Sequence, residues 1–103
     1  MILYNVTVKV DHYVVGDWVR WMKNTHIPDV MKTGIFSEYK FFRLLTVDET
    51  DGITYAIQYF CADIPAYEKY QNEFAPQLQK EHQERYEGKF VAFRTLMQMI
   101  SGQ

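Results

Sequence analysis

The sequence predicts an α+β fold with strands and helices in the order βαββαβ, and three observations carry that reading. Residues 2–10 alternate at the period of a strand. Two longer segments, about 13–32 and from Asp63 toward Gly88, repeat apolar residues every three or four positions, the period of a helix. The remaining apolar runs, 35–47, 53–61 and 90–100, are dense in aromatic and aliphatic side chains bounded by polar turns. With 103 residues, 48% hydrophobic and 17% aromatic, the chain has the size and apolar mass of one domain, 1–103, around one core.

In the first strand Ile2, Tyr4, Val6, Val8 and Val10 share one side, and Leu3, Asn5, Thr7 and Lys9 the other. Asp11 can cap the helix that follows, in which Val15, Val19, Met22, His26 and Val30 form a stripe with Trp18 alongside. Pro28 lacks the donor an interior turn needs, so it should kink this helix or open a short second piece capped near Thr25. Gly34 is placed to end it.

Runs 35–47 and 53–61 read as a hairpin joined by the polar turn Asp48-Glu49-Thr50-Asp51-Gly52. Asp63 followed by Pro65 is a helix start signal, and Tyr67, Tyr70, Phe74 and Leu78 form the stripe of a long helix bent at Pro76. In the last strand Val91, Phe93, Thr95, Met97 and Met99 share one face, and Ala92, Arg94, Leu96 and Gln98 the other.

This order is the split βαβ arrangement of ferredoxin-like folds, a four-stranded antiparallel sheet with two helices on one face. Strands two and four are apolar on both faces, so the open face of the sheet needs a cover. A second copy is the simplest one, which predicts a homodimer paired as a dimeric α/β barrel.

Several function classes are excluded. Eleven Lys and Arg against 13 Asp and Glu give a net charge of -2 and no basic field for nucleic acid. The start of the sequence carries no basic region ahead of an apolar stretch, and no run approaches the roughly 20 residues that span a bilayer, so neither export nor a membrane partner is expected. The single cysteine, Cys61, forms no internal disulfide, and as a small buried hydrophobe it suits a reducing cytoplasm. His26-x-x-Asp29 lacks a third ligand and the 48–51 turn is too short for a calcium loop, so no metal is expected. No Ser-His-Asp signature, glycine-rich phosphate loop or dinucleotide fingerprint occurs, which removes the common hydrolase, kinase and dehydrogenase readings and leaves no cofactor to expect.

The candidate site rests on two histidines. At about 100° per residue His26 falls inside the stripe of helix one, while on helix two Arg85 falls in line with Tyr67 and His82 about 60° away. With both helices returning antiparallel to the strands before them, their C-terminal ends are expected at one end of the sheet, bringing His26 and His82 together. Two imidazoles there could bind or protonate a ligand near neutral pH, with Trp18 as an aromatic wall and Asn5 orienting a polar group. Each residue also has a structural reading. The histidines could bond backbone carbonyls, Asn5 could bond Thr54 or Gln58, Arg94 could form an interface ion pair rather than anchor an anion, and the tryptophans could be core mass.

The pieces Tyr4-Asn5-Val6-Thr7-Val8, Trp18-x-x-Trp21-Met22, His26-Ile27-Pro28, Tyr59-Phe60-Cys61, Glu81-His82-x-x-Arg85-Tyr86 and Phe93-Arg94-Thr95-Leu96 carry a resemblance over nearly the whole chain. In that order they resemble a bacterial family described only as a domain of unknown function, number 4286. The resemblance implies a small cytoplasmic protein of dimeric α/β-barrel type without an assigned reaction. More distantly, that type includes cofactor-free antibiotic-biosynthesis monooxygenases, haem-degrading monooxygenases and small isomerases, with ligands between helices and sheet. Asn5, Trp18 and His82 occupy loosely similar places.

The expected function is therefore a homodimer with a pocket for a small planar or carboxylated ligand, framed by His26, His82, Asn5 and Trp18, with or without cofactor-independent chemistry of monooxygenase or isomerase type. The alternative is a non-catalytic dimeric interaction module using the polar helix end Glu81–Tyr86. A cavity lined by both histidines separates the first from the second, which predicts a filled core.

Overall fold

The computed structural model describes residues 1–102. Four strands, β1 (Ile2–Val10), β2 (Glu38–Arg43), β3 (Ile53–Cys61) and β4 (Phe90–Gln98), form one antiparallel sheet in the order β2-β3-β1-β4. The helices α1 (Val15–Trp21), α2 (Ile27–Met31), α3 (Ile64–Glu73) and α4 (Ala75–Arg85) cover one face. This is the ferredoxin-like arrangement expected, with each helical segment broken in two.

The first break is a π-helical turn, Met22–His26, closed by the N–H of Ile27 on the carbonyl of Met22. Pro28 explains its place, because a proline ring clashes with the carbonyl four residues earlier and donates nothing. The wider turn takes up one residue more than an α turn and shifts the phase. Trp18, Met22 and Val30 of the expected stripe are buried and Val15 and Val19 pack partly buried against the core, while after the π turn Ile27 takes the fully buried place expected for His26. Gly34 follows with φ 77°, as its place after the helix predicts.

The second break corrects the expected bend at Pro76. The Asp63 side chain caps α3 by accepting from the Ala66 N–H at 2.9 Å. Helical geometry then fails at Phe74 (φ -123°, ψ -40°), and Pro76 lies in the first turn of α4, where a missing donor costs nothing. The interruption resets the phase again. Ala75, Leu78 and His82 face inward, and Arg85 is exposed.

The hairpin is also shorter than expected. Pairing ends at Arg43 and Tyr55, and 44–52 form the connection, in which Leu45 is 85% exposed. Arg43 holds this loop through a two-pronged contact with Glu49 at 3.0 and 2.7 Å. At Gly52 a Cβ would stand 2.5 Å from the Val10 carbonyl oxygen, so only glycine allows this approach to β1.

The register assigns the two faces. Tyr4, Val6, Val8, Ile57, Tyr59, Ala92 and Arg94 point toward the helices, with Trp18 fully buried among Phe41 and Tyr55 at ring separations of 5.8 and 5.0 Å. The opposite face carries Leu3, Asn5, Thr7, Phe42, Phe60, Phe93 and Met97, with no layer over it in the single chain. There Val91 is 69% and Phe93 64% exposed.

Candidate functional site

The paired histidines do come together, by a different route from the one expected. Because β3 runs antiparallel to β1, the helices that follow them run in opposite directions. Their C-terminal ends therefore lie at opposite ends of the sheet, which corrects the sequence-based placement. The end of α4 packs instead beside the start of α1, where the Tyr86 hydroxyl donates to Asp17 at 2.6 Å. His82, one turn earlier, reaches the middle of the layer.

There the Trp18 indole Nε1–H donates to His82 Nε2 at 2.8 Å. An indole nitrogen can only donate, so His82 is a neutral imidazole with its proton on Nδ1. The His26 ring stands 5.7 Å from that of His82 and stacks on Trp21 at 5.0 Å. Its Nδ1 is buried with no hydrogen-bond partner among the described residues. The π turn puts it there, since His26 is the last residue of that turn, immediately before buried Ile27.

Burial is the main force on both titrations. It pushes His26 from 6.5 down to about 4, with the charge of Arg94 adding to the effect and Asp29 and Glu81 opposing it. Burial likewise takes His82 down to about 4, reinforced by His26 and then Arg94. Both rings are neutral at pH 7. Tyr59 and Tyr70 are raised by burial and then by neighbouring tyrosines, so their hydroxyls keep their protons.

These side chains line a space between sheet and helices in which about 40 Å³ admits the centre of a water-sized molecule. That is room for a few waters, or for one end of a molecule whose remainder lies outside. Val6, Val8 and Ile57 supply its apolar floor, and Tyr4, Tyr59 and Tyr70 ring one side. Gln79, His82, Ala92 and Arg94 are shared with an open groove between α4 and β4, which forms the mouth.

Of the four residues expected to frame a site, three meet and one does not. His26 and His82 line the cavity, and Trp18 stands behind His82 as its hydrogen-bond donor. Asn5 lies on the opposite face of the sheet, where its amide donates to Thr7 Oγ1 at 2.9 Å rather than to Thr54 or Gln58. Strand alternation decides this, because Tyr4 and Val6 take the helix side.

Sequence reasoning left out of the site Arg94, Gln79 and the tyrosines Tyr4, Tyr59 and Tyr70. A signal for Arg94 was present, since it shares parity with Ala92 on β4, opposite to Phe93. Cys61 is buried and its Sγ contacts the Asp63 carbonyl at 3.6 Å, away from the cavity. No group of three His, Cys, Asp or Glu among the described residues could hold a metal, and no described helix is long and apolar enough to cross a membrane.

Solved structures share this fold at low identity. HapK from Hahella chejuensis superposes with a TM-score of 0.70 at 10% identity, covering 100% of this chain and 97% of that one. SnoaB, a cofactor-independent oxygenase from Streptomyces nogalater, gives a TM-score of 0.68 at 12% identity over 98% and 95% of the two chains. A dimeric ferredoxin-like protein from an uncultured marine organism gives 0.71 at 7% identity over 100% and 98%. Identities this low establish the fold alone. No curated protein matches the sequence. The family described as Domain of unknown function (DUF4286) matches residues 1–100.

Proposed function

This chain belongs to the DUF4286 family, and from that premise we propose that it is a homodimeric small-molecule-binding protein whose ligand sits between sheet and helices. One observation carries the reading: a cavity lined by two neutral histidines, with His26 Nδ1 buried and lacking a partner. An unsatisfied buried polar atom costs about 1–3 kcal/mol, a cost that a ligand or bound water removes. Neutral imidazoles that accept or donate without a metal suit chemistry of the cofactor-independent kind, monooxygenase or isomerase.

The homodimer rests on the uncovered face of the sheet. Phe42, Phe93 and Met97 flank a polar row, Lys40-Gln58-Asn5-Thr95, that crosses all four strands. A two-fold partner would bury these side chains against their own copies. The interaction module has less support, because two residues of the helix end it needs are engaged within the chain. Arg85 and Tyr86 both reach Asp17, and Tyr86 is buried.

Native mass spectrometry of the purified protein tests the proposal. The expected species is a dimer carrying a small co-purified mass that is lost on denaturation. A dimer that stays empty and binds nothing from a library of small planar compounds would overturn the ligand reading.

A further inference from the structure

We infer that the cavity takes an organic acid in its ionised form, with Arg94 as the counter-charge. The inference rests on the small-molecule reading above and names the class of ligand. Arg94 is the one charged side chain on the lining, and no Asp or Glu lines it. Arg43 and Arg85 are paired with Glu49 and Asp17, whereas no carboxylate lies within 4.0 Å of Arg94 among the described residues. Its guanidinium offers five donors in a planar fork, and no side chain among the described residues accepts from it.

The other polar groups agree with this. The amide of Gln79 can donate, the protonated hydroxyls of Tyr59 and Tyr70 can donate, and His82, accepting from Trp18 at Nε2, carries a donor at Nδ1. A lining rich in donors, with one unpaired cation, favours an anionic oxygen. The floor of Val6, Val8 and Ile57 favours a carbon skeleton over an inorganic ion. Arg94 and Gln79 stand at the mouth, so the acid group faces the groove between α4 and β4, and the carbon skeleton points inward with a polar atom at its far end for His26 Nδ1. The interior takes only the inner end of that skeleton, and the adjoining groove between α4 and β4 holds the rest.

The test uses para-nitrophenol, whose ionised form has its own visible absorption band, and para-nitroanisole, which cannot ionise. At a pH one unit below the midpoint of free para-nitrophenol, adding the full chain should raise the ionised band. The bound probe should titrate about one unit or more below the free one, as expected beside a cation. Arg94→Gln, at an exposed position, should fold normally, lose that band and bind para-nitrophenol about tenfold or more weakly, the equivalent of one pKa unit. Binding of para-nitrophenol in its neutral form, equal preference for para-nitroanisole, or an unchanged band in Arg94→Gln would each overturn the inference while leaving a small-molecule site. Failure of both probes to bind would also overturn the inference, while the reading beneath it falls only with an empty dimer in native mass spectrometry that takes nothing from the planar library.

Discussion

Trp18 and His82, 64 residues apart in sequence, are joined by a buried hydrogen bond of 2.8 Å from indole to imidazole. The bond joins α1 to α4 and fixes the tautomer of His82, whose proton stays on Nδ1. Trp18→Phe keeps most of the aromatic mass and removes only the donor. Expected is a loss of about 1–3 kcal/mol in denaturant unfolding, the cost of leaving His82 Nε2 unpaired. The His82 pKa should rise in the same variant, read by NMR titration of the ring protons, because Nε2 is freed to take a proton.

Acid should destabilise the protein from a pH set by the histidines. Both have folded values of about 4 against an ordinary 6.5. Between those values the unfolded chain binds protons that the folded one refuses, so stability is complete above about 6.5 and falls as pH drops toward 4. Thermal melts from pH 7.5 to 4 should show this fall, and His26→Leu should flatten it.

The same His26→Leu variant separates structure from function. It deletes the unpartnered Nδ1 from the cavity, so the melting temperature at neutral pH should hold or rise. Ligand affinity should drop by at least about tenfold, one lost hydrogen bond of about 1.4 kcal/mol in the cavity. Unchanged affinity would remove His26 from the site.

Phe93→Lys places a charge on the uncovered sheet face, on the edge strand β4, without touching the core. Sedimentation velocity at micromolar concentration should convert a dimer into a monomer of unchanged secondary structure. A wild-type protein that sediments as a monomer would remove the pairing.

Gly52→Ala tests the approach of the 44–52 connection to β1. The added Cβ would meet the Val10 carbonyl oxygen at 2.5 Å, and backbone cannot yield as a flexible side chain would. A loss of about 1–3 kcal/mol is expected, in line with overpacking at a closed contact.

Much of the fold was legible because strand alternation and helix capping are local. The faces of β1 follow from simple parity, the Asp63 cap from its place ahead of Pro65, and the end of α2 from Gly34. What was not legible depends on phase. A fixed 100° per residue cannot anticipate the π turn at Met22–His26 or the break at Phe74, and each shifts every later side chain around its helix. The exchange of His26 for Ile27 at the buried position and the failed alignment of Arg85 with Tyr67 follow from that. Asn5 drew interest through residue type alone, while Arg94 was weighed between an interface ion pair and an anion anchor, and its parity with Val6 places it toward the helices.

Strand β4 lies at the edge of the sheet, and its successive residues alternate between two roles. Ala92 and Arg94 wall the cavity, while Val91, Phe93 and Thr95 look toward the proposed second copy. One stretch of backbone thus belongs to both equilibria, and a thermodynamic cycle must link them. To whatever extent a ligand at Arg94 reshapes β4, occupancy and subunit affinity should shift together by one coupling energy, equal in both directions.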